Sequence, residues 1–384
     1  MADRSVLGAA DVSDDELAAM VAESLDVERV ELLDSCAEVA PYDLEALTTA
    51  GRYWVHGRAR AGGAETTYRF FVKVVQSWAR SPLFRYVPEP LREQALAMVP
   101  WRTEPELYLS DLGDRLPDGL TVPRAHHVRY LDGESAVVWL EALDPVDLPW
   151  DLDRHVEAAY LLGRLAASPR VDPLARIAGR GGNRTVRDYA DGRVASQILP
   201  ALRGDDLWQH PLIAATFDDE LRDDLRAACD RLPGWLDELD AAPVTTSHGD
   251  ACTRNLLVVA DRPGFSLIDF GFWGLAPVGF DLSQLVWAEV GMGERPAAEL
   301  DRLEAACLPA YVDGLRAEGR DVPAAVVERS HTLSMMLFSG LSAVPLEFLD
   351  EPPTPDRERI SRERATSARW MLERVAATDA AALV

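Results

Sequence analysis

The chain of 384 residues is 48% hydrophobic and 27% charged, and 39 lysines and arginines against 64 aspartates and glutamates leave a formal charge of −25. That length holds about two domains with ample core; so acidic a chain lacks the footprint of a nucleic-acid binder, is repelled by an anionic membrane, and attracts cationic small molecules. Cys36, Cys229, Cys252 and Cys307 lie far apart with no C-x-x-C pair, and no window approaches the ~20 apolar residues of a membrane span, so reduced thiols in the cytoplasm are expected.

In chain order, Met1 to Gly8 carries no apolar core of leader length. The first predicted element is a helix opened by the capping box Ser13-Asp14-Asp15-Glu16 and running to about Leu25. Three β-rich runs follow, Val30 to Leu33, Arg52 to Arg58 and Thr66 to Val75, separated by Pro41 and by Ala61-Gly62-Gly63. They read as an antiparallel meander. Of the 39 basic residues 38 are arginine, and the one lysine, Lys73, sits in the third run. An ammonium is a compact point charge where a guanidinium is a broad fork, so either this site demands a point charge or the lysine is compositional drift. A helix is predicted from Thr103 as its cap, with Pro105 in the first turn and apolar residues at helical spacing to Leu112. Strands from His126 to Leu131 and from Ser135 to Leu143 come next, the second stopped by Pro145.

Beyond that proline, alanine- and leucine-rich helical patterns fill about 151 to 240 and about 281 to 380, interrupted by one strand-like island from Val244 to Phe270. The layout is a small sheet domain with one helix, residues 1–143, a short hinge, and a larger helical domain, residues 144–384. A cleft between two lobes is a frequent place for a ligand. The island holds the densest chemistry: Ser247-His248-Gly249-Asp250-Ala251-Cys252-Thr253-Arg254-Asn255, then Ile268-Asp269-Phe270-Gly271. A loop thus offers a carboxylate and, five residues on, an amide that begins a strand, and the hairpin returns a second carboxylate beside that amide. Asn255 and Asp269 suit Mg²⁺, which takes hard oxygens and leaves the rest of its octahedron to water and phosphate. Asp250 is left to accept a hydroxyl proton. Asp-Phe-Gly alone is an ordinary turn and His-x-Asp alone is weaker still; their conjunction at this spacing carries the signal.

This H-x-D-x-x-x-x-N loop of His248, Asp250 and Asn255, followed by Asp269-Phe270-Gly271 and preceded by a strand lysine and a helix glutamate, resembles the aminoglycoside phosphotransferase and choline kinase-like small-molecule kinases. These are relatives of the protein kinases, and the order of parts agrees across nearly the whole chain. The resemblance implies an α+β, protein-kinase-like bilobal fold with a small antiparallel β N-lobe and a larger, mainly α-helical C-lobe. It implies ATP or GTP with Mg²⁺, Asp250 as the catalytic base, Asn255 and Asp269 as metal ligands, and His248 as a brace of the loop. Lys73 is then the nucleotide-binding lysine with Glu104 as partner and Glu106 as second candidate, and the hinge from Leu140 to Leu143 presents Glu141 and Ala142 to the purine. Glu106 has a competing task as the far half of a Thr-x-x-Glu capping box, and Trp139 that of strand packing.

The implied acceptor is a small molecule with a hydroxyl group: an aminoglycoside or other antibiotic, a nucleoside, an amino sugar, or a choline-like or sugar alcohol in metabolism. A catalytically silent kinase-like binding module is the rival reading. Two departures from the family's pattern stand out. The phosphate loop, Thr48 to Tyr53, has one glycine, and positions 251–254 read Ala-Cys-Thr-Arg where many relatives carry a second histidine, a proline and a glycine. Cys252 has no histidine or lysine companion placed by sequence, so packing is expected of it. Asp281 is expected to tie its helix to the loop. Asp205, Asp206, Trp208, Glu347, Asp350 and Glu351 are candidate walls for a cationic acceptor, each with solvated surface as the competing explanation. No long activation segment separates Asp269 from Asp281, which argues against a protein kinase.

Overall fold

In the computed structural model, which describes residues 3–41, 46–179 and 185–381, the predicted capping box forms. Ser13 Oγ accepts from Glu16 N–H at 3.2 Å and the Glu16 carboxylate accepts from Ser13 N–H at 2.8 Å, opening helix α1 (Asp14–Ser24). Strands β1 (Glu31–Val39), β2 (Thr49–Ala61) and β3 (Ala64–Gln76) make the expected meander. Helices α2 (Arg92–Met98), α3 (Thr103–Leu109) and α4 (Leu112–Arg115) follow, then strand β4 (Leu120–Thr121). Strands β5 (Ala125–Asp132) and β6 (Ser135–Glu141) complete an antiparallel sheet of order β1-β2-β3-β6-β5. Thr103 is already inside α3 and does not cap it: Arg102 holds the capping position, and Thr103 Oγ1 only reaches the Pro100 carbonyl at 3.5 Å.

Alternation along the strands divides the sheet into two faces. Val55, Ala59, Phe70, Val72, Val137 and Trp139 pack against Leu17, Met20 and Val21 of α1, forming the core of the first lobe. Trp139 is fully buried there, its indole donating to the Ala10 carbonyl at 3.2 Å, so it is a packing residue. The other face is set by the register: Arg52 opposes Lys73, Trp54 opposes Phe71, and His56 opposes Arg69. Directly opposed residues share a face, and this one turns toward the second lobe.

The helical lobe is built from α5 (Leu152–Ala167), α6 (Asp219–Ala241), α7 (Phe280–Gly291), α8 (Leu300–Ala317), α9 (Ala324–Met335) and α10 (Pro355–Ala381). Within the predicted helical region, residues 180–184 lie outside those described. Helices α5 and α8 cross backbone to backbone: a Cβ on Gly163 would lie 2.1 Å from the Tyr311 carbonyl oxygen, and one on Gly314 2.1 Å from that of Tyr160. Only glycine allows that approach. The island between the helices forms β7 (Val244–Ser247), β8 (Leu256–Leu257) and β9 (Phe265–Leu267), and continues past Phe270 to β10 (Gly274–Pro277), which pairs with β7. A strand made of Gly, Leu, Ala and Pro carries little β signal, which is why the predicted island stopped short.

The two lobes are stitched together in two places. Leu107, Leu112, Leu116 and Leu120 sit in the helical lobe's core, and β4 runs parallel to β9. After β6 the chain is captured again, with Val146 N–H donating to the Val258 carbonyl at 2.8 Å. The result is an α+β, bilobal architecture with an antiparallel sheet in one lobe and helices dominating the other. Among the described residues no helix is long and apolar enough to cross a membrane.

Candidate active site

The loop after β7 is held from behind by one carboxylate. Asp281, in the first turn of α7 and 2% exposed, accepts from Ser247 Oγ at 2.7 Å, His248 N–H at 2.7 Å and Gly249 N–H at 2.9 Å. Gly249 takes φ +85°, and a Cβ there would meet the Phe272 carbonyl oxygen at 2.1 Å, so the turn requires glycine. His248 is fully buried: its Nδ1 lies 3.3 Å from Asp250 N–H and its Nε2 3.0 Å from the Ile268 carbonyl. The backbone donor fixes Nδ1 as the acceptor, so Nε2 carries the proton and donates. Both ring nitrogens are spent on backbone, leaving a brace and no proton shuttle.

Asn255 performs a second tie. Its Nδ2 donates to the Asp250 carbonyl at 2.8 Å and to Asp250 Oδ2 at 3.0 Å, and its own carbonyl accepts from Ile268 N–H at 3.2 Å. His248 and Asn255 therefore grip opposite polar groups of the residue just before Asp269. Burial pushes the Asp250 carboxyl above its ordinary value, and the charge of Asp269 adds to that against the Asn255 hydrogen bond.

Asp269 sits at φ +65°, ψ +68°, a left-handed conformation that costs an aspartate on the order of 1 kcal/mol and is kept only where the surroundings impose it. The next residue, Phe270, is anchored. The ring is fully buried among Tyr108, His248 and Trp273, with centroids 5.6, 5.2 and 5.9 Å away. Asp269 itself reaches up to the sheet. Lys73 Nζ lies 3.0 Å from Asp269 Oδ1 and 2.6 Å from Glu104 Oε2, with both Lys73 and Glu104 buried. Burial disfavours the Lys73 ammonium, but the two carboxylates outweigh it and raise its pKa. Burial likewise opposes ionisation of Asp269, and Lys73 with Arg52 overcomes it, holding that carboxyl below its ordinary value. Arg52 Nη2 stands 3.9 Å from Asp269 Oδ2.

The donor set fits a hard divalent cation. Asn255 points its N–H groups at Asp250, leaving its amide oxygen for a cation, and the Asp269 carboxylate is partly exposed. Among the described residues no cluster of three histidine, cysteine, aspartate or glutamate side chains forms that could hold a metal alone. A cation here would need phosphate oxygens to complete its shell.

The structure thus brings together Lys73, Glu104, Asp250, Asn255 and Asp269 around His248. Glu104, not Glu106, takes the lysine; Glu106 instead accepts from Tyr130 Oη at 3.0 Å and forms no capping box. Glu141 and Ala142 lie where β6 leaves the sheet. The Glu141 N–H is already donated to the Arg124 carbonyl at 2.8 Å and its carboxylate is ion-paired with Arg262. Cys252 has its thiol pushed up to about 12 by burial and the nearby Asp250 charge, too high for a nucleophile. Of the candidate acceptor walls, Asp205, Glu347 and Glu351 are each paired with an arginine, Arg226, Arg364 and Arg357.

Sequence reading missed four residues on the sheet's cleft face, Arg52, Trp54, Arg69 and Phe71. Trp54 and Phe71 pack edge to face at 4.9 Å, two residues along from Arg52 and Lys73, and the Arg69 guanidinium covers Trp54 at 4.4 Å. The signal was present in the alternation: residues two apart on a strand share a face, so Phe71 follows from Lys73. Trp54 and Arg52 needed the register.

A model of the phosphotransferase enzyme family matches residues 45–320. Comparison with curated proteins gives no match. Among solved structures, an aminoglycoside phosphotransferase from Alicyclobacillus acidocaldarius is 15% identical with a TM-score of 0.49, covering 90% of this chain and 97% of its own. A choline kinase from Cryptosporidium parvum is 14% identical at 0.47, covering 89% and 91%, and an amicoumacin kinase in complex with AMP-PNP and Ca²⁺ is 12% identical at 0.46, covering 95% and 96%.

Proposed function

The chain belongs to the phosphotransferase enzyme family, and from that premise we propose that it moves the γ-phosphoryl group of ATP to a hydroxyl of a small molecule. The observation that carries this reading is the meeting of Lys73 and Glu104 from the sheet lobe with Asp269 from the helical lobe, beside the loop of Asp250 and Asn255. In this reading residues 1–143 cover the nucleotide and residues 144–384 supply the loop, the metal ligands and the acceptor wall. Trp54, Phe71 and Leu140 share the cleft face and offer an apolar roof to a purine, with Ala142 at its edge. Lys73, fixed by Glu104, grips the phosphates. Asn255 and Asp269 would hold Mg²⁺, which when bound supplies neutralisation of phosphate charge.

Asp250 orients the acceptor hydroxyl and takes its proton, the task for which its raised affinity for a proton suits it. Eleven residues after Asp269 the chain is already in α7, the space between being filled by one helical turn and β10, so no protein-kinase-type activation segment covers the acceptor side. A small acceptor follows. The charge of −25 favours a cationic one, such as an aminoglycoside, another amino-bearing antibiotic, an amino sugar or a choline-like alcohol, over a neutral nucleoside. The test is ATP consumption across those classes, with product mass gain of one phosphoryl group as readout. Turnover that disappears in Asp250→Asn supports the reading. A parent that binds ATP yet phosphorylates none of these classes replaces it with a silent binding module.

A further inference from the structure

Three carboxylates, Glu104, Asp250 and Asp269, gather where the lobes meet, and Lys73 is already shared between two of them. A nucleoside triphosphate is a polyanion, so such a cleft repels it unless further positive charge is supplied. In many nucleotide sites a glycine-rich loop supplies it as a nest of backbone N–H groups. Here the corresponding corner has Gly51 alone, and the Thr48 carbonyl and Thr49 are drawn into pairing with β3, Gln76 N–H donating to Thr48 at 2.8 Å.

Arg52 stands at that corner. It opposes Lys73 directly across β2 and β3, so the two side chains leave the same face of the sheet. Its side chain is 13% exposed, a sheltered cation and not a surface one, and its guanidinium stands 3.9 Å from Asp269 Oδ2 while Lys73 takes Oδ1. The β2–β3 ladder fixes both residues, so the spacing between the two cations is built into the sheet.

Resting on the nucleotide reading above, we propose that Arg52 is a second phosphate-binding cation, which sits by Asp269 and exchanges that carboxylate for the triphosphate when a metal–nucleotide complex enters. A guanidinium fork accepts two phosphate oxygens at once. Because a guanidinium and a divalent cation compete for the same carboxylate, Arg52 opposes metal binding without nucleotide and favours nucleotide binding. A residue that merely supported the sheet would move both in the same direction.

The full chain and its Arg52→Met and Arg52→Lys variants test this with three ligands: ATP and adenosine by calorimetry, in EDTA and with Mg²⁺, and Mn²⁺ alone by electron paramagnetic resonance. Arg52→Met is expected to weaken ATP about tenfold or more, to leave adenosine within about twofold, and to tighten Mn²⁺ several-fold; Arg52→Lys recovers part of the ATP affinity. Unchanged ATP affinity in Arg52→Met, equal losses for ATP and adenosine, or weaker Mn²⁺ binding each overturns the proposal. A parent chain that binds neither ATP nor adenosine overturns the nucleotide reading itself, a result distinct from any of these.

Discussion

Lys73 is the residue on which the site turns, and its environment says why a lysine stands there in a chain of arginines. Its ammonium reaches two carboxylates from a buried slot, 2.6 Å from Glu104 and 3.0 Å from Asp269. A guanidinium in the same slot is wider and holds its charge farther out. Lys73→Arg is therefore expected to lower kcat by about 10²-fold or more, while the melting temperature moves little because the buried Glu104 keeps a cationic partner. Full activity in that variant returns the lysine to drift. Asp250 gives a prediction of opposite sign for stability. Its folded carboxyl binds a proton more tightly than the unfolded one, so folding stability falls as pH rises from the ordinary value of 3.8 through the raised folded value, and stays reduced above it. Asp250→Asn removes that cost. It should raise the melting temperature at neutral pH, lose the advantage below about pH 4, and lower kcat on the order of 10³-fold. The parent's rate should rise with pH through the same raised value. A variant that is less stable at neutral pH, or as active as the parent, contradicts the assignment.

At the scale of elements, the loop from Ser247 to Asn255 is shaped by contacts outside itself. Ser247, His248 and Gly249 all donate to Asp281 at the start of α7, and His248 and Asn255 both bond Ile268 of the returning hairpin. Helix α7 thus positions a loop more than thirty residues earlier in the chain. Asp281→Ala leaves the His248 N–H and the Ser247 hydroxyl without their acceptor, at about 1–3 kcal/mol each, and leaves Gly249 N–H only Ser247 Oγ at 3.0 Å. Thermal denaturation should show a loss of several kcal/mol, with kcat falling more than KM rises. Asp281→Asn, which keeps one oxygen, should lie between. A parent-like kcat in Asp281→Ala would show that the loop holds its shape alone. The capping box at Ser13 and the H-x-D-x-x-x-x-N spacing were legible because each is local. Glu104 is preferred to Glu106 on the family's pattern alone, since two positions on one helix face different ways and it is the docking of α3 under the sheet that brings Glu104 to Lys73.

For the whole molecule the governing quantity is charge. Many of the arginines on the surface are spent on acidic neighbours, yet the excess remains −25. Long-range attraction of a cationic acceptor is screened over a Debye length of about 10 Å at 0.1 M salt. For a cationic acceptor, kcat/KM should fall steeply between about 0.02 and 0.3 M salt, and for a neutral acceptor of similar size it should stay nearly flat. Equal salt dependence for both would remove charge from the account of acceptor choice. The lobes are also linked: Leu107, Leu112, Leu116 and Leu120 lie in the helical lobe's core although the flanking elements belong to the sheet, so any opening of the cleft would bend the chain at the ends of that segment.

By itself the sequence determined which chemical groups the protein possesses and at what local spacing: a lone lysine on a strand, a carboxylate and an amide five residues apart, a second carboxylate after an apolar run. Those are short-range facts, fixed by strand alternation and turn chemistry. Only the tertiary structure decided that Arg52 shares the face of Lys73, that Glu106 meets Tyr130 instead, and that Glu141 is tied to Arg262. Each depends on register or docking between segments tens to hundreds of residues apart, and periodicity along a chain carries no information about which distant partner a residue will meet.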